Sequence, residues 1–283
     1  METVLLRNRV QMPVLGFGVF QITDFDMCEK AVAHALGTGY RLIDTAACYG
    51  NERAVGQAVA ESGIHRADIF LVSKVWIQDA GYEKTKQSFY KTLSNLQTDY
   101  LDLYLIHMPY GDYHGSWRAM EELYEEGRIR AIGVCNFLPD RLIDLMLTHR
   151  IAPMVNQIEL HPFCQQTELL GLMRQHQIQP MAWAPFAEGQ NRIFTDPVLT
   201  EIGRNSGKTP AQVILRWLRQ NRIVAIPKSV HAERIEENFA IDDFQLSDVD
   251  LNRIRGMDSG RSLILDITSP DEVCRLHNIR FEQ

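Results

Sequence analysis

Tyr40-Arg41-Leu42-Ile43-Asp44-Thr45-Ala46-Ala47-Cys48-Tyr49-Gly50-Asn51-Glu52 joins a short apolar run to an acid, then a tyrosine, then a segment with helical spacing. Tyr40 to Ile43 reads as a buried strand, and Asn51 to Ser62 repeats small and apolar residues at the period of a helix. In a barrel or layered α/β fold, the loops after strand ends form the open face where chemistry is done, so Asp44 and Tyr49 point at a site. A tyrosine, with an unperturbed pKa of ~10, is a poor acid at neutral pH and needs a cation beside it to stabilise its phenolate.

The neighbouring apolar runs supply that cation and a fourth polar group. Ile69-Phe70-Leu71-Val72-Ser73-Lys74 ends in Lys74, which Asp44 can pair with and hold. Asp102 to Pro109 is almost wholly apolar until His107. Each residue alone has an ordinary explanation: a rim tyrosine, a solvated lysine, a satisfied core histidine. Asp44, Tyr49, Lys74 and His107 at equivalent ends of consecutive strands form a far more specific pattern.

Working outward, strand and helix patterns alternate along the whole chain. Strand candidates are Val14–Gly18, 41–44, 69–74, 101–107, 129–134, 154–159, 180–184 and 224–226. Helical patterns lie between them, at 24–36, 52–62, 84–96, 117–126, 139–147, 168–175, 198–205 and 210–220. Alternation of this kind predicts parallel strands joined by crossover helices. Eight such units without a compositional break or linker favour a closed (β/α)8 barrel, a single α/β domain over residues 1–283, above an open sheet. Val4–Leu6 and Val10–Met12 around Asn8-Arg9 predict a hairpin that caps the barrel bottom. Gly16-x-Gly18 permits close backbone approach, but Gln21 stands where a dinucleotide fingerprint needs its third glycine, so that motif is rejected. Residues 260–283 show little periodicity and are expected to form a loop across the barrel mouth, short enough to leave it open to small or polar substrates.

Composition narrows the function. At 283 residues, with 45% hydrophobic and 23% charged, the chain matches an ordinary globular protein with ample core. No apolar run approaches the ~18 residues of a membrane span, and no secretory signal is apparent at the start, so a cytoplasmic protein without membrane contact is expected. Five scattered cysteines, none in a Cys-x-x-Cys pair, fit reduced thiols better than disulfides or zinc. A net charge of −7 argues against general nucleic-acid binding. No His-x-His occurs among the nine histidines, which counts against a metal-dependent hydrolase, and His161 before Pro162 reads as structural.

Lys228-Ser229 follows the last strand candidate, and Arg234 and Asn238 share one face of the next helical pattern at i and i+4. A lysine, a hydroxyl and a guanidinium there suit a phosphate, although Arg234 beside Glu236 and Glu237 also reads as a solvated charged face.

At this point the chain resembles the aldo-keto reductase superfamily through nearly its whole length. The resemblance is carried by Leu15-Gly16-Phe17-Gly18, the Asp44 to Glu52 stretch, Leu105-Ile106-His107-Met108-Pro109, Ile132-Gly133-Val134-Cys135-Asn136-Phe137, Asn156-Gln157 and Ile226-Pro227-Lys228-Ser229 with Arg234-Ile235-Glu236-Glu237-Asn238. It implies a (β/α)8 barrel that reduces aldehydes and ketones with NADPH. It further implies that Tyr49 donates the proton, Lys74 stabilises the phenolate, Asp44 orients Lys74 and His107 positions the carbonyl oxygen. For the cofactor it implies Lys228, Ser229 and Arg234 on the 2′-phosphate and Glu237 and Asn238 on the adenine. Asn136 and Gln157 would hold the carboxamide, Trp183 would stack on the nicotinamide, and Gly18, Val19, Phe20, Asp44, Cys135 and Pro185 would make further contacts.

Departures from the usual pattern shape the expectation. Cys135 stands where many members have Ser, which weakens one carboxamide hydrogen bond. Trp183 replaces the commoner Tyr and resembles the microbial branch of 2,5-diketo-gluconate and glyoxal or methylglyoxal reductases. Met108 and Phe20 occupy positions often filled by Trp. Phe20, Tyr49, Trp76, His107 and Met108 are therefore the expected pocket walls, and Trp117 reads equally well as wall or core. The expected partner is a small-molecule carbonyl, met by a monomer. A regulatory NADPH-binding barrel without turnover is the alternative, and it has no need of Tyr49 and Lys74 together.

Overall fold

Apolar runs buried on both faces build the centre of the molecule, as parallel strands covered by helices require. In the computed structural model, which describes residues 2–281, β1 (Thr3–Leu5) and β2 (Gln11–Pro13) form an antiparallel hairpin. The strands β3 (Phe17–Gly18), β4 (Leu42–Asp44), β5 (Phe70–Val75), β6 (Leu103–Ile106), β7 (Ile132–Cys135), β8 (Val155–Glu159), β9 (Gln179–Trp183) and β10 (Val224–Ala225) then pair in chain order as one parallel sheet. A bridge between Leu15 and Ala225 closes the ring, with the Gly16 N–H donating to Ala225 O at 2.8 Å. The first predicted strand, Val14–Gly18, is thus divided between this closure and its pairing with β4. Gly18 has to be glycine, since a Cβ there would lie 2.9 Å from the carbonyl oxygen of Ile226.

Outside the ring run α1 (Phe25–Thr38), α2 (Glu52–Glu61), α3 (Tyr82–Leu96), α4 (Tyr113–Glu125), α5 (Pro139–Thr148), α6 (Thr167–Gln175), α7 (Pro197–Ser206), α8 (Pro210–Gln220), α9 (Ala232–Phe239) and α10 (Asp248–Arg255). Their ends follow local chemistry. The Asp24 side chain accepts the Met27 N–H at 2.8 Å to start α1, and Gly39, at φ 125°, ends it. Thr209 and Gln212 form a reciprocal capping box at the start of α8. Among the described residues no helix is long and apolar enough to cross a membrane.

The hairpin lies over the N-terminal ends of the strands, with Leu6 and Met12 buried and the Asn8 amide donating to Arg130 O at 2.8 Å. Beneath it Asp102, one residue before β6, is fully buried. It accepts from Arg66 Nη1 at 2.9 Å, Arg130 Nη1 at 2.6 Å and the Leu71 N–H at 2.9 Å.

At the opposite end the structure corrects the reading of the C-terminal segment as loop. Residues 260–269 are irregular, but α11 (Pro270–His277) follows, while Glu282 and Gln283 lie outside the described residues. With Leu276 its one buried residue, α11 is too short and too exposed to leave a helical period in the sequence. The segment is tied at one end to Glu159 at the end of β8, where Ser262 Oγ donates to one carboxylate oxygen and the Leu263 N–H and His161 Nε2 lie 2.9 and 3.0 Å from the other. At its far end it is tied to Trp76, whose Nε1 donates to Ile279 O at 3.2 Å, and to Gln78, whose amide donates to Phe281 O at 3.1 Å.

Candidate active site

All four residues of the predicted constellation meet at the C-terminal end of the barrel. β4 delivers Asp44, a tight turn at Ala47–Tyr49 follows, and Gly50, at φ 71°, reverses the chain into α2. Asn51 fixes that turn: its carbonyl accepts from Thr45 Oγ1 at 2.8 Å, and its amide donates to Val19 O at 2.9 Å and Ile22 O at 3.0 Å. Lys74, inside β5, has no solvent exposure. Its Nζ lies 2.5 Å from Asp44 Oδ1, 2.9 Å from Thr45 O and 3.5 Å from the Tyr49 hydroxyl. His107, just past β6, sets its ring edge-on to Tyr49 and Trp76, with centroids 5.6 and 5.0 Å away. The Cys48 Sγ stands 3.5 Å from its Nδ1.

These positions determine protonation. Burial pushes the Tyr49 phenol well above its ordinary 10.0, with the Asp44 charge adding to the effect, so the phenol rests protonated. Lys74, which the sequence led us to expect to ease that ionisation, lies 2.5 Å from Asp44 and 3.5 Å from the phenol. Burial, and then the Lys74 charge, hold His107 well below its ordinary 6.5, so the imidazole is neutral. A buried cation, a protonated phenol beside it and a neutral imidazole edge-on to that phenol can give a proton to an oxygen and stabilise what remains.

The remaining predicted residues divide. Gln157 donates to Asp44 Oδ2 at 2.8 Å, a support for the acid that its sequence position did not reveal. Among the described residues its Oε1 meets only the Cys135 thiol, at 3.9 Å, so it keeps acceptor capacity. Asn136, at φ 62°, is more heavily engaged: its amide donates to His107 O at 3.1 Å, and its oxygen accepts from Trp183 Nε1 at 2.9 Å. That last bond fixes the half-buried indole at the end of β9, beside the buried Pro185. Val19 is buried, whereas Phe20 is 49% exposed with its ring 4.9 Å from that of Tyr49.

The Gly18 N–H donates to Pro227 O at 3.0 Å, so Lys228 and Ser229 begin directly beside this first turn. Glu236 pairs with His34 at 3.0 Å, and Glu237 accepts from Thr209 Oγ1 at 2.8 Å. Among the described residues no carboxylate therefore pairs with Arg234 or Lys228, both exposed near the start of α9, where an anion is favoured. Ser229 and Asn238 are buried next to them. An open acceptor on Gln157, a fixed indole face and two uncommitted cations fit a nicotinamide dinucleotide phosphate.

Trp76 and Met108 are only 6% and 3% exposed, because Leu276, Leu265 and Ile267 of the C-terminal segment pack over them. The C-terminal segment therefore covers this side of the mouth. Trp117 is fully buried, its Nε1 donating to Ile151 O at 3.0 Å, and belongs to the core rather than the pocket.

The chain is similar to known proteins over most of its length. The model of the Aldo/keto reductase family matches residues 14–259. Glyoxal reductase of Bacillus subtilis (strain 168) is 48% identical over 254 residues, covering 89% of this chain and 91% of its own. An aldo-keto reductase from a deep-sea metagenome library superposes with a TM-score of 0.92 at 41% identity, over 94% of this chain and 98% of its own. The Bombyx mori aldo-keto reductase, solved in complex with NADP, gives a TM-score of 0.88 at 30% identity, over 93% and 94%.

Proposed function

The chain belongs to the aldo/keto reductase family and is an NADP-dependent oxidoreductase that reduces carbonyl groups, and from that premise we propose that Tyr49, Lys74, Asp44 and His107 carry out the reduction. When bound, the cofactor supplies a hydride from C4 of its nicotinamide. Tyr49 gives its phenolic proton to the carbonyl oxygen as charge gathers there. Lys74, held by Asp44 Oδ1 and Thr45 O, keeps one N–H directed at the phenol and stabilises the phenolate that donation leaves. Neutral His107 donates a hydrogen bond to the same oxygen and fixes its place.

Trp183 would stack on the nicotinamide and Gln157 would accept from its carboxamide, with Asn136 acting chiefly by fixing the indole. Lys228, Ser229 and Arg234 would hold the 2′-phosphate, and Glu237 and Asn238 would border the adenine. Cys135, with its thiol pushed up by burial, contributes packing more than hydrogen bonding.

The substrates are small polar carbonyls, dicarbonyls and keto sugars. The cover that the C-terminal segment places over Trp76 and Met108 and the similarity to glyoxal reductase support this choice. The protein works as a cytoplasmic monomer without nucleic-acid partners and as one domain over residues 1–283, a reading supported by a main core that runs from Leu6 to Ile254, five free thiols and the net charge of −7. The observation that carries the proposal is the solvent-free Lys74 ammonium between Asp44 and the Tyr49 hydroxyl. A steady-state panel of methylglyoxal, keto sugars and aromatic aldehydes, run with NADPH and NADH side by side, tests it. We expect turnover with NADPH that is highest on the small dicarbonyls; preference for bulky aromatic aldehydes would overturn the substrate assignment.

A further inference from the structure

We propose that the Cys48 thiol sets the tautomer of His107, keeping the ring proton on Nε2 as the donor toward substrate; the inference rests on the role given to His107 above. A neutral imidazole carries a single N–H, and the hydrogen bond made by one nitrogen decides which nitrogen bears it. Carboxylates and backbone carbonyls usually set that choice by accepting from one ring nitrogen. Among the described residues neither bonds to the His107 ring; the Cys48 sulfur stands there instead, 3.5 Å from Nδ1.

A thiol at that place acts opposite to a carboxylate. It has a hydrogen of its own to give, and an imidazole nitrogen is a better acceptor than sulfur, so the S–H donates and Nδ1 stays bare. Burial supports the direction, since it pushes the thiol up to about 12 and keeps it protonated. The ring is also held against turning over, edge-on between Tyr49 and Trp76. Cys48 rides on the same Ala47–Tyr49 turn as the proposed proton donor and packs among Trp76, Ile77 and Met108. One turn therefore places both the acid that protonates the carbonyl oxygen and the group that prepares its hydrogen-bonding partner. Cys48 itself touches neither substrate nor cofactor in this scheme; it is a positioning residue.

The test compares wild type, Cys48→Ala, Cys48→Ser and His107→Ala, each saturated with NADP+, by long-range ¹H–¹⁵N correlation of the histidine rings alongside steady-state kinetics. His107→Ala assigns the signals. We expect a pure Nε2–H pattern for His107 in wild type and a mixed pattern in Cys48→Ala. With it kcat should fall about 3- to 10-fold, the size of one weak hydrogen bond, while KM and NADPH affinity change less than about 2-fold. Cys48→Ser, whose hydroxyl also donates, should restore the Nε2–H pattern and most of kcat. An Nδ1–H pattern in wild type, or a Cys48→Ala protein with wild-type spectrum and kcat, overturns the proposal. If His107→Ala keeps full turnover, the role assigned to His107 has failed; if it is inactive while Cys48→Ala is indistinguishable from wild type, the tautomer proposal alone has failed.

Discussion

Two buried carboxylates sit at opposite ends of this barrel, each clasped by basic side chains, and they do different work. Asp102 at the bottom binds two guanidiniums, from Arg66 and Arg130, and the Leu71 N–H. Both arginines reach solvent, with side chains 22% and 43% exposed, and Arg66 also donates to the carbonyls of Ile69 and Tyr100, so none of their remaining donors points at a reacting group. Asp44 at the top binds one ammonium that is wholly buried, and the third direction of that ammonium is the Tyr49 hydroxyl. What separates a structural clamp from a catalytic one is therefore the destination of the cation's leftover N–H. Barrel folds concentrate stability at the bottom and chemistry at the top, and this pair shows the division at the level of single hydrogen bonds.

Replacing the phenol tests the top clamp most severely. Tyr49→Phe should lower kcat on the order of 10²- to 10⁴-fold, the usual contribution of a positioned proton donor, with NADPH binding, followed by tryptophan quenching, nearly intact. Unchanged turnover would erase the distinction between the two ends. At the bottom, Asp102→Ala leaves two arginines facing a void. Thermal and urea unfolding should show a loss of roughly 1–3 kcal/mol, chiefly from the buried Leu71 N–H left without an acceptor, with kcat/KM of the folded protein within about 2-fold; a large kcat/KM loss would mean that the clamps are not separable.

Arg234→Ala sharpens the contrast from a third direction, since this cation pairs with no protein carboxylate among the described residues. NADPH affinity should weaken about 10- to 100-fold, the size of a lost charge-assisted hydrogen bond, with NADH affinity unchanged. Equal weakening toward both cofactors would move Arg234 off the 2′-phosphate. The smallest effect concerns pH. Tyr49 must be protonated to act, and its pKa lies well above 10.0; activity depending on it is present below that pKa and lost only as pH rises through it. His107 is depressed well below 6.5, so its neutral form also persists from there upward. The pH profile of kcat for NADPH-driven reduction should be nearly flat between 6.5 and 10.0, and a limb inside that range would show that one of these groups titrates where the geometry forbids it.

The barrel was legible because strand ends, turn residues and helical periods all lie within short windows. Asp44, Lys74 and His107 each close an apolar run, so their shared height around the ring follows from the βα repeat alone. Contacts between distant segments were not legible. Nothing local in Asn156-Gln157 tells that Gln157 holds Asp44, because that bond depends on the curvature that closes the sheet. The C-terminal helix was missed because α11 buries only Leu276, leaving no stripe to read. Cys48 went unassigned although it precedes Tyr49, since a residue before a tyrosine turns toward a histidine on another strand only through the tight Ala47–Tyr49 turn.

The tail is tied to the barrel mouth mainly through side chains, by Glu159 at one end, Tyr110 in the middle and Trp76 and Gln78 at the other, whereas backbone ladders hold the strands beneath it. Segments of that kind detach locally long before the whole protein melts. Amide exchange in residues 262–281 should thus outpace that of the strands, and each release would uncover Trp76 and Met108. Breathing of this sort would let the chamber admit bulkier guests for brief intervals, widening its repertoire while the proton-delivery machinery beneath stays rigid.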